Sequence, residues 1–243
     1  PAGGPTVDPE QLTTTLIAFD KQTGEELWRG GSRMIAYGSP SIRTVLGKPQ
    51  VLLVAEAFAV GHDPESGKEL WSHERPGTSN AQAKCSQVTY VSDSQLLLSK
   101  GYSLGGELIE LTNEAGTIKT KSLQKDPRIL KTKLTSPVIH EGHAYSLSDG
   151  YLECTNIDSF ARVWKQRGRF GNGQILLVGD KLLVHSESGE LFLVQATPSG
   201  YEELASMETI DGICWNTLCL YGDLLLVRSQ KEAACFRLPT VSK

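Results

Sequence analysis

The chain has 243 residues, of which 39% are apolar, and it carries a formal net charge of −4 with a pI near 5.8. These values exclude a nucleic-acid-binding surface, which needs clustered basic residues to replace counterions, and the apolar runs are shorter than the roughly 20 residues of a membrane helix. A chain of this length is compatible with one large all-β domain.

The first residues have the composition of a tail. Residues 1–10 are rich in Pro and Gly, begin without Met, and contain no apolar segment typical of a signal peptide. We therefore predict a flexible N-terminal tail or linker over residues 1–15, processed or trimmed at its start. A single domain is predicted to follow over residues 16–243.

An internal repeat organises the rest of the chain. Residues 18–28 read AFDKQTGEELW and residues 61–71 read GHDPESGKELW, which places Trp28 and Trp71 43 residues apart. A period of this size predicts a radial or solenoid array. In both copies the Asp that begins the turn lies eight residues before the Trp. Three further copies keep this spacing, two of them without Trp: Asn156 to Trp164, Thr112 to Thr120 and Ala196 to Leu204.

Each copy has the chemistry of a hairpin turn. Asp or Asn accepts hydrogen bonds from the backbone just ahead of it, and Gly supplies the positive φ that reverses the chain. Short apolar runs lie upstream of the turns, and their centres step by 44, 48, 38 and 43 residues, at Leu53, Leu97, Tyr145, Leu183 and Leu226. Four short strands in about 43 residues match one propeller blade. We predict that Trp28, Trp71 and Trp164 are buried where one sheet stacks on the next.

The phrase, written A-x-D-x-x-T/S-G-x-x-L-W, resembles the repeat of the PQQ-type, or quinoprotein-like, β-propellers. This superfamily includes quinoprotein alcohol dehydrogenases and the non-catalytic lipoprotein of the bacterial outer-membrane assembly machinery. Over residues 16–238 the resemblance implies an all-β fold, a β-propeller of four-stranded antiparallel blades, with about five to six blades present. Residues 168–178 and 232–238 are similar to uncharacterised bacterial members that are usually predicted to be exported, which implies a periplasmic or otherwise extracytoplasmic location.

The two ends of the array do not close simply. Residues 16–29 offer two strands and residues 217–238 offer three, which makes five strands for one four-stranded blade. The chain is therefore either a fragment of a seven- or eight-bladed ring or a compact ring closed by blades two to six with an irregular first blade.

The connections between blades supply the candidate site, because in propellers of this type they converge around the central channel. One hypothesis is a small-molecule or peptide site in which Trp215 is a stacking wall and Lys84 or Arg169 binds an anion. The alternative is that small polar residues pack the narrow inner ends of the strands. The candidate channel-mouth residues are Ser39, Lys84, Ser136, Arg169, Asn172, Trp215 and Asn216.

Motifs for catalysis or metal binding are missing from the sequence. The five Cys residues have no C-x-x-C spacing, and no adjacent Cys pair of the quinoprotein dehydrogenase type occurs. Cys214 and Cys219 are interpreted as buried free thiols in strands. His140 and His143 flank a predicted hairpin tip, which favours an exposed turn over a metal site. We predict no catalytic, cofactor-binding or metal-binding residues.

These observations leave three functions open. The first is a non-catalytic extracytoplasmic propeller that acts as a scaffold or binding module for a protein or cell-envelope polymer. The second is a quinone-dependent dehydrogenase with Ca²⁺, which needs oxygen ligands where the connections supply only Asn172 and Asn216. The third is a carbohydrate-binding or hydrolytic propeller, for which an aromatic content of 7% is low. The missing motifs favour a protein that is not an enzyme.

Overall fold

A computed structural model describes residues 14–76, 85–168 and 170–239. Within these ranges the regular elements are all β-strands, arranged in six sheets that we number I to VI in chain order. The strands of the first three sheets are β1 (Leu16–Phe19) and β2 (Glu26–Gly30) in sheet I, β3 (Ser41–Val45), β4 (Lys48–Val54), β5 (Phe58–His62) and β6 (Glu69–Glu74) in sheet II, and β7 (Thr89–Tyr90), β8 (Gln95–Lys100), β9 (Gly105–Glu114) and β10 (Thr117–Asp126) in sheet III.

The second half of the chain repeats this organisation. Its strands are β11 (Val138–His140), β12 (His143–Ser148), β13 (Tyr151–Asn156) and β14 (Ala161–Gln166) in sheet IV, β15 (Gln174–Val178), β16 (Lys181–His185), β17 (Glu190–Gln195) and β18 (Glu203–Glu208) in sheet V, and β19 (Cys219–Tyr221), β20 (Leu224–Arg228) and β21 (Ala233–Arg237) in sheet VI. Every sheet is an antiparallel meander, and four of them have four strands. The predicted all-β propeller blades are confirmed.

The apolar cores lie between consecutive sheets. Five clusters of buried residues join sheet I to II, II to III, III to IV, IV to V and V to VI. One buried residue from each interface, in that order, is Leu53, Leu96, Leu130, Phe192 and Leu225. Within the described ranges, no such cluster or strand pairing joins sheet VI to sheet I. Accordingly, Tyr221 and Leu226 on the outer face of sheet VI are 84% and 46% exposed.

The turn chemistry of the repeat is as predicted. A side-chain oxygen of Asp20 accepts hydrogen bonds from the N–H groups of Gln22 and Thr23, both at 2.8 Å. Asp63 does the same for Glu65 and Ser66. These bonds replace the backbone partners that a reversing chain would otherwise lack.

Gly67, the seventh residue of its repeat, shows why this turn requires glycine. Its φ is +72°, which is the left-handed region. A Cβ atom there would lie 2.4 Å from the Trp28 ring. The glycine thus serves the turn of sheet II and also the docking of the tryptophan from sheet I.

The three tryptophans occupy equivalent positions but are buried to different extents. In the ladders, Trp28, Trp71 and Trp164 each directly follow the bulged residue of their own strand, and they lie opposite Ala18, Gly61 and Cys154. Trp71 is 4% exposed, as predicted, whereas Trp28 and Trp164 are half-buried at their interfaces. The indoles of the latter two donate to the carbonyls of Pro64 and Thr197 in the next sheet.

The two copies without Trp differ from the sequence-based alignment. Thr112 lies inside β9 and pairs with Lys119, so the third hairpin turns later, at residues 115–116. In sheet V the bulged residue is Leu204, and the residue directly after it is Ala205, which lies opposite Leu193. The assignment of Leu204 to the tryptophan position is therefore wrong by one residue.

The predicted tail, residues 1–15, lies for its larger part outside the described residues. Thr15 is buried, its N–H donates to the Gly30 carbonyl at 2.9 Å, and its hydroxyl donates to the Arg33 carbonyl at 2.9 Å. Thr15 therefore packs with sheet I.

Candidate functional site

The connections that link one sheet to the next contact each other in series. The Ser86 hydroxyl donates to the Thr135 carbonyl at 2.7 Å. The Gln174 amide donates to the carbonyls of both Leu134 and Trp215, each at 2.9 Å. Three connections, those from sheet II to III, III to IV and V to VI, are joined in this way, the last two through Gln174 at the start of β15, and their residues form one face of the described chain. We call it the connection face.

The structure gives the predicted residues different surroundings on this face. The Ser136 hydroxyl accepts a hydrogen bond from the Gln87 N–H at 2.9 Å, so it packs one connection on the next, as the structural alternative required. Ser39 and Asn216 are exposed. Lys84 and Arg169, the two predicted anion-binding residues, lie outside the described residues.

Asn172 and Trp215 are brought together by a residue that the sequence did not single out. Glu187, in the turn between β16 and β17, accepts hydrogen bonds from the Trp215 indole at 2.6 Å and from the Asn172 N–H at 3.0 Å. Burial acts to raise the pKa of Glu187, but these bonds and the positive charge of Lys133 prevail and lower it. The ionised carboxylate therefore fixes the Trp215 ring, which is 50% exposed.

A second charged group is buried between sheets II and III. The Arg75 guanidinium donates to Glu107 at 2.6 Å and to the Gly105 carbonyl at 2.7 Å, and His73 lies 3.1 Å from the same carboxylate. Burial acts to raise the pKa of Glu107, but the bond to His73 and the Arg75 charge outweigh it and lower the pKa to about 2. This group cross-links two sheets through an ionised carboxylate that is almost inaccessible to solvent.

A chain of hydroxyls lies beside this group, toward the connection face. The Thr132 hydroxyl is 2.7 Å from the hydroxyls of both Ser86 and Ser99. Lys100 is 3% exposed, and its ammonium has no hydrogen-bond partner among the described residues. It borders a cavity of about 10 Å³, the room that one water molecule requires. Burial lowers the pKa of Lys100.

The cysteines correct one expectation. All five are free thiols. The prediction that Cys214 and Cys219 are buried in strands is wrong in part: Cys214 is buried but lies in the connection before β19, and Cys219 lies in β19 but is exposed. In the described part of the chain, no three His, Cys, Asp or Glu side chains form a cluster able to hold a metal ion. The same residues contain no helix long and apolar enough to cross a membrane.

Comparison with known proteins gives one family and a shared fold. Residues 6–199 match the PQQ_2 family model, which is described as outer membrane protein assembly factor BamB. The crystal structure of BamB from Moraxella catarrhalis superposes with a TM-score of 0.56 at 11% identity, covering 90% of this chain and 77% of that chain. The computationally designed Ika8 protein superposes with a TM-score of 0.55 at 11% identity, covering 93% and 78%. No curated protein sequence matches the chain.

Proposed function

Because this chain belongs to the PQQ_2 family, we propose that it is a non-catalytic, extracytoplasmic β-propeller that binds a protein partner during outer-membrane protein assembly. Membership of this family supports the proposed partner class and location. The proposal treats residues 16–243 as one propeller domain. A cell-envelope polymer is the other class of partner, and the experiment below separates the two.

The connection face supports a binding function through its exposed apolar side chains. Tyr37, Ile213 and Trp215 are 62%, 38% and 50% exposed, and all three lie in connections between sheets. Large aromatic residues supply most of the binding energy in protein interfaces. A surface of this type is suited to a protein partner.

Trp215 is the observation on which the proposal rests. Its indole is held by Glu187, and the Trp215 carbonyl is held by Gln174. A ring that is already fixed loses little side-chain entropy when a partner covers it, so more of its burial energy contributes to affinity. Both oxygens of Glu187 accept hydrogen bonds from the protein itself, so this carboxylate has a positioning role.

The experiment measures binding of the purified chain to purified components of the outer-membrane protein assembly machinery by biolayer interferometry. Trp215→Ala should weaken binding about 30-fold, the effect of removing ~2 kcal/mol at an interface anchor. Tyr221→Ala is the matched control, because Tyr221 is 84% exposed on sheet VI. No binding by the wild type, or equal losses in both variants, would contradict the proposal. Binding to isolated peptidoglycan alone would favour a polymer partner.

A further inference from the structure

A groove of about 540 Å³ lies where sheets III and IV meet. Its wall is built from the loop between β8 and β9, the connection from β10 to β11, the turn before β13, and strand β14. The side chains that line it include Tyr102, Lys131, Lys133, Asp149, Arg162 and Lys165. The groove is distinct from the Trp215 surface but adjoins it, because Lys133 precedes Leu134, whose carbonyl shares the Gln174 amide with the Trp215 carbonyl.

The groove is cationic although the chain as a whole has a net charge of −4. Lys131 forms an ion pair with Asp149, and the Lys133 ammonium lies 3.7 Å from the same carboxylate. The Lys165 ammonium lies 4.2 Å above the Tyr151 ring and forms no ion pair with a carboxylate in the described part of the chain. Two of the three ammonium groups therefore share the Asp149 carboxylate, and the third has no carboxylate partner among the described residues.

The two arginines of the groove are already bound to carboxylates. Arg162 donates to Glu153 at 3.0 Å, and Arg128 donates to both oxygens of Asp126 at 2.9 and 2.8 Å. Glu153 is fully buried and also accepts the Leu130 N–H. These pairs fix the connection from β10 to β11, and they leave the lysines as the groups available to a ligand.

The lysines lie close enough to repel one another. Burial lowers the pKa of Lys165, and the charges of Arg162 and Lys131 lower it further against the opposing effect of Glu153 and Asp149. An anion placed between these ammonium groups would relieve the repulsion.

One rim of the groove is held in a strained conformation. Tyr102 and Ser103 have φ values of +57° and +68°, in the left-handed region that non-glycine residues rarely adopt. This conformation places the Tyr102 ring 5.4 Å from the Lys133 ammonium. The stem of Lys133 packs on Gly101, where a Cβ atom would come within 2.7 Å of it. The lysine is thus held at the groove.

We propose that this groove binds a phosphate group. An ammonium group acts as a point charge that binds phosphate oxygens, and the two arginines, which could also bind phosphate, already hold carboxylates. Two ammonium charges in excess of Asp149 match the charge of a phosphate near neutral pH. Tyr102 and Ser103 add hydroxyl donors to the wall. A lipid headgroup and a soluble phosphate compound present the same chemistry.

The test uses the purified chain and two probes at low ionic strength, where charge interactions are least screened. Inorganic phosphate is titrated calorimetrically, and flotation is measured with vesicles of phosphatidylcholine mixed with phosphatidylglycerol and with pure phosphatidylcholine vesicles. Wild-type binding of phosphate is expected near 1 mM, or about −4 kcal/mol. Lys165→Gln and the double variant Lys131→Gln/Lys133→Gln should each weaken it about tenfold. Lys121→Gln, on the exposed strand β10, removes the same charge outside the groove and should have little effect.

Each outcome has a defined meaning. Loss of both phosphate and anionic vesicle binding in the groove variants, with Lys121→Gln unchanged, supports the proposal and identifies a lipid headgroup. Phosphate binding without vesicle binding supports it and identifies a soluble ligand. Equal losses in Lys121→Gln, or no phosphate binding by a wild type with normal circular dichroism, overturns it.

Discussion

Replacing Glu107 by glutamine is expected to destabilise the contact between sheets II and III. The substitution keeps the shape of the side chain but removes the carboxylate that lies 2.6 Å from the buried Arg75 guanidinium. Removing one member of a buried ion pair leaves a charge in a poorly solvated site and typically costs 3–5 kcal/mol, so a loss of about 3 kcal/mol is expected here.

The pKa of Glu107 gives an independent magnitude. A fall from its ordinary value of 4.5 to about 2 corresponds to roughly 3 kcal/mol of stability. Because the folded state has the lower pKa, this stability is present above about pH 4.5 and is lost as the pH falls toward 2. The wild type should therefore lose free energy of unfolding over this window, and Glu107→Gln should lose about 3 kcal/mol less of it.

Urea denaturation followed by tryptophan fluorescence, at pH 7 and at steps down to the acid range, measures both effects. Glu114→Gln is the control on the same strand, because Glu114 is exposed. Arg75→Met combined with Glu107→Met should be less damaging than Glu107→Gln alone, since both charges are removed together. A cost below about 1 kcal/mol for Glu107→Gln, or a double variant worse than the single one, would refute the reasoning.

Three further predictions concern packing and chemistry. Trp71→Ala should cost about 3–5 kcal/mol in denaturant melts, and Trp28→Ala should cost less because its ring is half-buried; equal costs would contradict this. Ala205→Trp should fill the apolar groove of about 350 Å³ between sheets V and VI and raise the Tm by about 2–4 °C, whereas a lower Tm would show that the groove cannot accept a ring. Titration with pyrroloquinoline quinone and Ca²⁺, followed by dye reduction with alcohols and sugars, should give no saturable binding and no turnover. Micromolar binding with turnover that Asn172→Ala or Asn216→Ala abolishes would instead favour the dehydrogenase.

The elements that could be predicted from the sequence are those with a local cause. Asp20 and Asp63 form their turns through N–H groups two and three residues ahead, so a short stretch of sequence contains the whole interaction. The position of Ala205 could not be predicted by counting, because it depends on where the ladder between β17 and β18 bulges. A bulge is a property of the pair of strands and shifts the side-chain register by one residue.

The candidate site could be predicted only in part, for a related reason. The connections of Ser136, Asn172 and Trp215 were found from the repeat period, and the structure brings the last two within reach of Glu187. Glu187 itself has no sequence signal, since a glutamate in a turn is ordinarily solvated. The pairing of Arg75 with Glu107 spans 32 residues and depends on the stacking of two sheets.

The apolar cores between consecutive sheets have a consequence for how the molecule opens. An internal sheet is held by two interfaces, whereas sheets I and VI are each held by one in the described chain. Energetics of this kind are those of a one-dimensional array with nearest-neighbour coupling. Local unfolding should therefore begin at sheets I and VI. Amide hydrogens should exchange fastest in these two sheets and slowest in sheets III and IV.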